Sequence, residues 1–403
     1  MSNWSQRIHQ QLEAQKEKAL WRSRLELTSK QSEHIEIASA DQPLLNFCSN
    51  DYLGLAADSS DSLAKAAQQW GSGSGASHLV CGHSQAHHQL EQDLAAATGY
   101  ERAILFSNGY MANMAIQQAL LQKGDWVLHD KLNHASLIDG ALLASSPYRS
   151  AGAAKFSRYL HCDVEALNSK LEKTDGANTL VMTDAVFSMD GDIAPLPELA
   201  QACQHHDALL MIDDAHGFGV LGAKGQEQGQ GSIQHFGLTP NDVPIYMATL
   251  GKALGGYGAF VAGSDEMIEY LIQFARPYIY TTALPPALAE TMTQHLAESL
   301  TGTRQKRLHH NIAHFKQLAQ QAQLNLLASD TAIQPIIIGD DAKAMSISLA
   351  LKAKGILVAA IRPPTVPAGT ARLRVTITAN HTSQDIQQLV DTLSDVVAEI
   401  GNP

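Results

Sequence analysis

Apolar residues along the chain fall into two patterns that take turns. Short, nearly unbroken apolar runs read as buried strands, and longer stretches with an apolar residue every three or four positions read as helices. Strand-like runs cover residues 44–48, 102–107, 124–129, 179–183, 208–212, 243–247 and 258–262. Helical spacing covers residues 87–98, 136–145 and 197–206, and a further helix begins near residue 111. Strands alternating with helices predict an α/β fold around a mostly parallel sheet. Two long helical patterns follow, over residues 286–301 and 304–322. The last stretch is shorter in period, with strands at 332–338, 356–360 and 372–377 and helices at 341–354 and 383–400. It reads as a second, smaller α/β unit. At the other end, residues 5–24 read as a helix with Ile8, Leu12, Leu20 and Trp21 near one face. The expected division is an arm at residues 1–45, a large domain at 46–290 and a small domain at 291–403.

Composition narrows the class. The chain of 403 residues is 45% hydrophobic, enough to bury a large core. Twenty-eight basic residues against 40 acidic ones leave a formal charge of -12, which argues against a nucleic-acid partner. Cys48, Cys81, Cys162 and Cys203 form neither a disulfide framework nor paired metal-ligand spacing. The first twenty residues are polar, and no run approaches the ~20 apolar residues of a membrane span. A soluble cytoplasmic protein without a membrane partner is the expectation. The 18 histidines include local groups at His83, His87 and His88, but no HExxH pattern, and no metal is expected.

The chemistry concentrates at strand ends. The run 208–212 ends in Asp213, Asp214, Ala215 and His216, and Lys252 lies among glycines between two further strand-like runs. Parallel sheets place ligands at the carboxyl ends of their strands. An acid, an imidazole and a lysine there suit pyridoxal 5'-phosphate, whose ring nitrogen wants a carboxylate and whose aldehyde wants an amine. By spacing alone, Asp214 could replace Asp213. The junction at Asn108, Gly109 and Tyr110 passes from strand to helix and offers backbone N–H groups to an anion such as the cofactor phosphate. The loop at residues 71–77 (GSGSGAS) is glycine-rich but carries no phosphate-loop lysine.

Several longer strings occur in register from Trp21 onward: NFCSNDYLGL, FSNGYMAN, DKLNHASLIDG, VFSMDGDIAPL, DDAHGFGVLG, ATLGKALGGYG and IRPPTVPAGTARLRVT. Together they resemble the α-oxoamine synthases, pyridoxal-phosphate enzymes of the aspartate-aminotransferase fold (fold type I). The resemblance implies a large, mostly parallel seven-stranded sheet domain and a smaller carboxyl-terminal domain. It makes Lys252 the Schiff-base lysine, Asp213 the partner of the ring nitrogen, His216 the partner of the phenolic oxygen and His134 the imidazole stacked on the ring. Asn108, Gly109, Tyr110 and Thr249 would hold the phosphate, with Asp184 and Ser188 near the cofactor. Relatives often have serine at the Asn108 position and usually glutamate at the Asp184 position. A threonine of the 280–285 loop, Thr281 or Thr282, would reach the phosphate bound by the neighbouring subunit, which implies a homodimer with shared sites.

On the substrate side the resemblance selects Asn50, Arg374 and Thr365, with Arg372 a rival to Arg374 by spacing. Arg22, with Arg24 as the near alternative, would meet the far carboxylate of a pimeloyl chain. The proline-rich string most resembles the branch of the family serving biotin biosynthesis. That branch joins L-alanine to a pimeloyl thioester, pimeloyl-CoA or pimeloyl-ACP, with loss of carbon dioxide. Sister activities on glycine or serine with other acyl thioesters are the alternatives, as is a catalytically weakened partner subunit.

Overall fold

In the computed structural model, residues 2–18, 20–223 and 228–401 are described, and the strands gather into three sheets. The chain opens with α1 (Asn3–Glu17), which buries none of its residues. The predicted helix runs on to residue 24, whereas the observed one stops at Glu17; Ala19 lies outside the described residues. A helix that buries nothing has no packing to extend it. The chain beyond it is drawn into extended pairing instead: Ala38 N–H donates to Glu26 O at 3.0 Å, and Thr28 N–H to Glu36 O at 2.9 Å. Strands β1 (His34–Ile35) and β2 (Leu44–Asn46) pair antiparallel, and α2 (Ser60–Trp70) and α3 (Gln85–Thr98) follow.

The main sheet contains β3 (Arg102–Phe106), β4 (Trp126–Asp130), β5 (Lys155–Tyr159), β6 (Thr179–Asp184), β7 (Leu209–Asp213), β8 (Ile245–Thr249) and β9 (Ala259–Gly263). Their spatial order is β3-β9-β8-β7-β6-β4-β5. All neighbours run parallel except β9, which is antiparallel to both β3 and β8. The expected α/β class with a mostly parallel seven-stranded sheet is therefore what the chain forms. Sequence reading missed β5, whose residues KFSRY make no apolar run. It is an edge strand with only Tyr159 fully buried, so little apolar character is demanded of it. Helices α4 (Gly109–Leu120), α5 (Ala135–Ala144), α6 (Val164–Leu171) and α7 (Leu196–His205) connect the parallel strands, and α8 (Ser232–Phe236) precedes β8.

Alternation along the strands divides the core between the two faces. On β8, Tyr246 and Ala248 join the apolar cluster of Phe218, Phe260 and Leu296, while Ile245 and Met247 join that of Met182, Met211 and Val261. Beyond β9 come α9 (Asp265–Phe274), α10 (Arg276–Ile279), α11 (Pro286–Ser299) and α12 (Thr303–Gln321). The last segment holds β10 (Ile333–Gly339), α13 (Asp341–Ala353), β11 (Ile356–Leu357), β12 (Ala359–Ile361), β13 (Ala371–Thr376) and α14 (Ser383–Ile400). The predicted single strand 356–360 is split in two at Val358. Its first half pairs with β2 in parallel and its second half with β13 in antiparallel fashion. Chain from before and after the main sheet thus shares one small sheet. Among the described residues no helix is long and apolar enough to cross a membrane.

This register puts functional side chains on one edge. Asp130, Asp184, Asp213 and Thr249 are the last residues of β4, β6, β7 and β8, and Asp184 lies opposite Asp213. The edge depends on the sheet centre staying rigid. Phe260 is fully buried there, with its ring centroid 5.1 Å from that of Phe218. Phe260→Ala is expected to destabilise the chain by about 3–5 kcal/mol, read as a lower midpoint in chemical denaturation; an unchanged midpoint would show that this face is not the core.

Candidate active site

Asp213 ends β7 with both oxygens engaged. Asn113 Nδ2, from α4, donates to Oδ2 at 2.7 Å, and Ala215 N–H donates to Oδ1 at 3.0 Å. Asn113 Nδ2 also donates to Ser136 Oγ at 2.8 Å, and Ser136 Oγ lies 2.7 Å from His134 Nδ1. Asp213 and His134 therefore belong to one network. Asp214, the next residue, points elsewhere because side chains alternate. It accepts from Ser232 N–H at 2.7 Å and Tyr246 Oη at 2.7 Å, and from the Ser232 hydroxyl. Burial pushes its carboxyl up to about 6. Of the two acids that spacing leaves interchangeable, Asp213 is the one linked to His134, through Asn113 and Ser136.

Asp184 sits beside Asp213 in register and is buried. Its Oδ2 accepts from His134 N–H at 2.7 Å, and its own N–H donates to Asn133 Oδ1 at 3.1 Å. Burial, and then the neighbouring Asp213 charge, hold its carboxyl well above the ordinary range. The third strand-end acid, Asp130, is taken up by His161 Nδ1 at 3.0 Å and Cys162 N–H at 2.7 Å.

Lys252 starts a second network. Its Nζ lies 2.9 Å from His216 Nε2, and His216 Nδ1 lies 2.6 Å from Tyr52 Oη. Tyr52 Oη donates to Asn50 Oδ1 at 3.3 Å, which also accepts from Arg374 at 3.2 Å. The donors are consistent along the chain: the amine donates to Nε2, the Nδ1 proton goes to Tyr52, and the phenol proton goes to Asn50. Burial, with the Lys252 charge second, keeps the His216 imidazolium pKa well below its usual value, so the ring is neutral. Burial pushes the Tyr52 phenol up to about 12, so it keeps its proton. Burial likewise lowers the Lys252 pKa, against the pull of Asp213 and Asp184. Gly255, at φ +63°, lets the lysine loop lie against the 50–56 turn; a Cβ there would stand 2.4 Å from Ala56 N.

Arg374 is buried and donates from Nε to Ser188 O at 2.6 Å as well as to Thr376 and Asn50. Arg372, two residues earlier on the same face of β13, is committed to Asp190 and Thr370. The two arginines thus differ in their partners: only Arg374 of the two is bonded to Asn50 among the described residues.

At the start of α4, Asn108 caps the helix by accepting from Met111 N–H at 3.0 Å. Gly109 packs against the end of β8, and a Cβ on it would lie 2.8 Å from Thr249 Cγ2. Thr249 Oγ1 is buried without a hydrogen-bond partner among the described residues. An orphaned hydroxyl next to a helix N-terminus is what an anionic group would complete. The Tyr110 ring stands edge-on to His134, with centroids 6.4 Å apart, and its hydroxyl bonds Asp139.

Four expected residues stand outside these networks. Arg22 is exposed outside any helix or strand, and Thr365 is exposed in a turn closed by its N–H to Arg362 O at 3.1 Å. Thr281 donates its hydroxyl to Pro277 O at 2.7 Å, while Thr282 is exposed and bridges to Ser77 through the backbone. Sequence reading missed Tyr52, Asn113, Asn133 and Ser136. Asn113 had a visible signal: with Gln117 it forms a polar pair four residues apart on the buried face of α4.

Residues 42–393 match the family of class I and II aminotransferases. The chain belongs to that family. Among curated class I and II relatives, the 8-amino-7-oxononanoate synthase of Cellvibrio japonicus (strain Ueda107) is 52% identical over 90% of this chain and 89% of its own. The enzyme of that name from Pseudomonas savastanoi pv. phaseolicola is 53% identical over 96% of this chain and 94% of its own. Solved structures agree. A serine palmitoyltransferase of S. paucimobilis with bound PLP–myriocin superposes with TM-score 0.89 and 28% identity over all of both chains. The 8-amino-7-oxononanoate synthase of Francisella tularensis gives TM-score 0.74 and 33% identity over 88% of this chain and 98% of that one. The residues present fit pyridoxal phosphate, the cofactor of this family: a lysine of lowered pKa, a strand-end carboxylate and an orphaned Thr249 hydroxyl at a helix N-terminus face one edge of the sheet.

The close approach at Gly109 can be tested directly. Gly109→Ala is expected to weaken retention of pyridoxal phosphate about tenfold or more, as about 1–3 kcal/mol of overpacking implies. Adding Thr249→Ser removes the clashing methyl and should restore most of the loss. Equilibrium dialysis of the cofactor reads both; undiminished binding by the single variant would show that this contact does not shape the cradle.

Proposed function

We propose that the chain joins L-alanine to a pimeloyl thioester, on coenzyme A or acyl carrier protein, to give 8-amino-7-oxononanoate for biotin biosynthesis. The α-carbon of alanine is acylated, the thiol leaves, and the carboxylate departs as carbon dioxide. The observation that carries this reading is the meeting of Lys252, His216, Asn50 and Arg374 in one hydrogen-bonded line, in a chain 52% identical to an enzyme of that name. The fold alone does not separate the sister activities, since a serine palmitoyltransferase superposes at least as well.

Bound pyridoxal phosphate supplies an aldehyde for the amino group and a ring that withdraws electrons from the α-carbon. The chain's residues do the rest. Lys252 Nζ holds the cofactor and then takes the α-proton of alanine, a task suited to an amine whose pKa burial has lowered. Asp213, steadied by Asn113, would pair with the ring nitrogen and keep it protonated. His134, oriented by Ser136 and with its backbone N–H anchored by Asp184, would stack on the ring. His216 would pair with the phenolic oxygen. Arg374 takes the alanine carboxylate in a two-pronged contact, with Asn50 and Thr365 lining the substrate side and Ser188 near the cofactor. Arg22 meets the far carboxylate of the pimeloyl chain; its exposure and lack of an ion pair among the described residues leave the guanidinium available. The functional form is a homodimer in which a threonine of the 280–285 loop reaches the partner's phosphate. The exposure of Thr282 favours it over Thr281, whose hydroxyl is bound within its own chain.

Two measurements test this. Mass spectrometry of products from holoenzyme offered alanine, glycine and serine against pimeloyl-, acetyl-, succinyl- and palmitoyl-CoA should show the alanine–pimeloyl product dominating. Dominance of a glycine or serine product would overturn the substrate assignment and leave the cofactor site standing. The second concerns Lys252. A lowered folded-state pKa means that the neutral amine is populated at lower pH than for an ordinary lysine near ~10.4. The rate at which cofactor-free enzyme captures pyridoxal phosphate should therefore rise with pH and level off above a midpoint below that value. A midpoint at or above it would contradict the lowered pKa.

A further inference from the structure

A second group of ligating side chains gathers on α3 and the π-helical turn before it (His78–Gly82), and the proposed chemistry uses none of it. His83, His88 and Glu91 present ligand atoms that all lie within 4.8 Å of one another. They line a pocket of about 310 Å³ shared with His78, Arg102 and Tyr278. Glu91 is mostly buried, with only 12% of its side chain exposed. One of its oxygens, Oε1, accepts from Leu105 N–H at 3.1 Å; the other, Oε2, faces His83 Nε2 at 3.9 Å. The nearby guanidinium of Arg102 is directed to Glu269 at 3.0 Å. His88 precedes Glu91 by three residues on α3, so both side chains project from one face.

We propose that His83 Nε2, His88 and Glu91 Oε2 bind a divalent transition-metal ion of the Zn²⁺ type, with His78 orienting His83. Two nitrogens and a carboxylate oxygen form a donor set that zinc accepts, and three protein ligands leave a position open to the pocket. Ligands each about 2.1 Å from a shared ion stand at most about 4.2 Å apart. The 3.9 Å between His83 and Glu91 already meets that limit. His88 is exposed, and rotation of its side chain would bring it from within 4.8 Å to ligand distance.

The supporting bonds have the right sense. A metal on Nε2 leaves the proton of His83 on Nδ1, and that nitrogen lies 2.9 Å from His78 Nδ1, an acceptor in the matching tautomer. His78 is itself held by stacking on Tyr278, with centroids 5.1 Å apart and planes at 10°. His87, the other histidine of the cluster, is excluded because both its nitrogens are engaged, with Ser84 and with Leu284 O. The ion would clamp the His78–Gly82 turn onto α3.

The test uses untagged, cofactor-loaded enzyme charged with Zn²⁺, dialysed, and counted by elemental mass spectrometry, with affinity from chelator competition. About one zinc per chain is expected. His83→Ala and His88→Ala should each bind about tenfold more weakly or worse, with unchanged circular dichroism and cofactor absorbance. Replacing the separate pair His205 and His206 with alanine should leave zinc binding intact. With Co²⁺ in place of Zn²⁺, the visible ligand-field band should be lost in His88→Ala. Substoichiometric zinc in the unaltered enzyme overturns the proposal, as does undiminished affinity in His88→Ala or loss of binding through the His205 and His206 changes.

Discussion

Two carboxylates, Asp184 and Asp213, end adjacent parallel strands in register and are both buried. Like charges side by side in a poorly solvated place repel strongly, and neither acid can be left without partners. Much of the site can be read as the settlement of that constraint. Asp184 is held by a backbone N–H of His134 and keeps its carboxyl well above the ordinary range through burial and the Asp213 charge. Asp213 receives Asn113 and the Ala215 amide. Nearby, Lys252 contributes a counter-charge that the same burial weakens. The acid that can serve a ring nitrogen and the amine that can serve an aldehyde are thereby kept at one edge of the sheet.

The parallel sheet explains why these groups meet at all. Four strands end at one edge with Asp130, Asp184, Asp213 and Thr249, and their helices return on the faces. The antiparallel β9 reverses the chain next to β8 and lets the glycine-rich segment around Lys252 fold back over that edge. The carboxyl-terminal part closes the site from the other side. Arg374 reaches across from β13 to Ser188 and Asn50, and Ser329 and Thr331 fasten the neighbouring turn by donating to Gly191 O at 3.0 and 3.1 Å. The loop that carries Ser188 is thus gripped from both its neighbours, and the arginine keeps a fixed position relative to the lysine although 122 residues (374 − 252) separate them in sequence.

Fidelity between pattern and structure was highest where burial is two-sided and lowest at edges. Strands β6 to β9 are apolar because both faces of the sheet are covered, and their positions were legible to within two residues. Edge strand β5 lacks that demand and left no apolar run. The opening helix was read too long because its period continues past the point where pairing of residues 26–28 with 36–38 takes over.

The sequence by itself determined the alternation of strands and helices, the strand-end position of Asp213 and Lys252, and, through motifs in register, the family and its cofactor. Local periodicity and turn chemistry are encoded in neighbouring residues, so they can be read without a fold. Tertiary structure alone decided the partners of each member of the ambiguous pairs. Asp213 rather than Asp214 meets Asn113, and through it Ser136 and His134, because Asp214 is taken by Ser232 and Tyr246. Arg374 rather than Arg372 meets Asn50, because Arg372 is taken by Asp190. It also revealed Tyr52 as the bridge from His216 to Asn50 and Asn113 as the support of Asp213. Those choices depend on partners a hundred residues away for Asp213 and 324 for Arg374, and a hydrogen bond between distant residues exists only once the chain has closed around it.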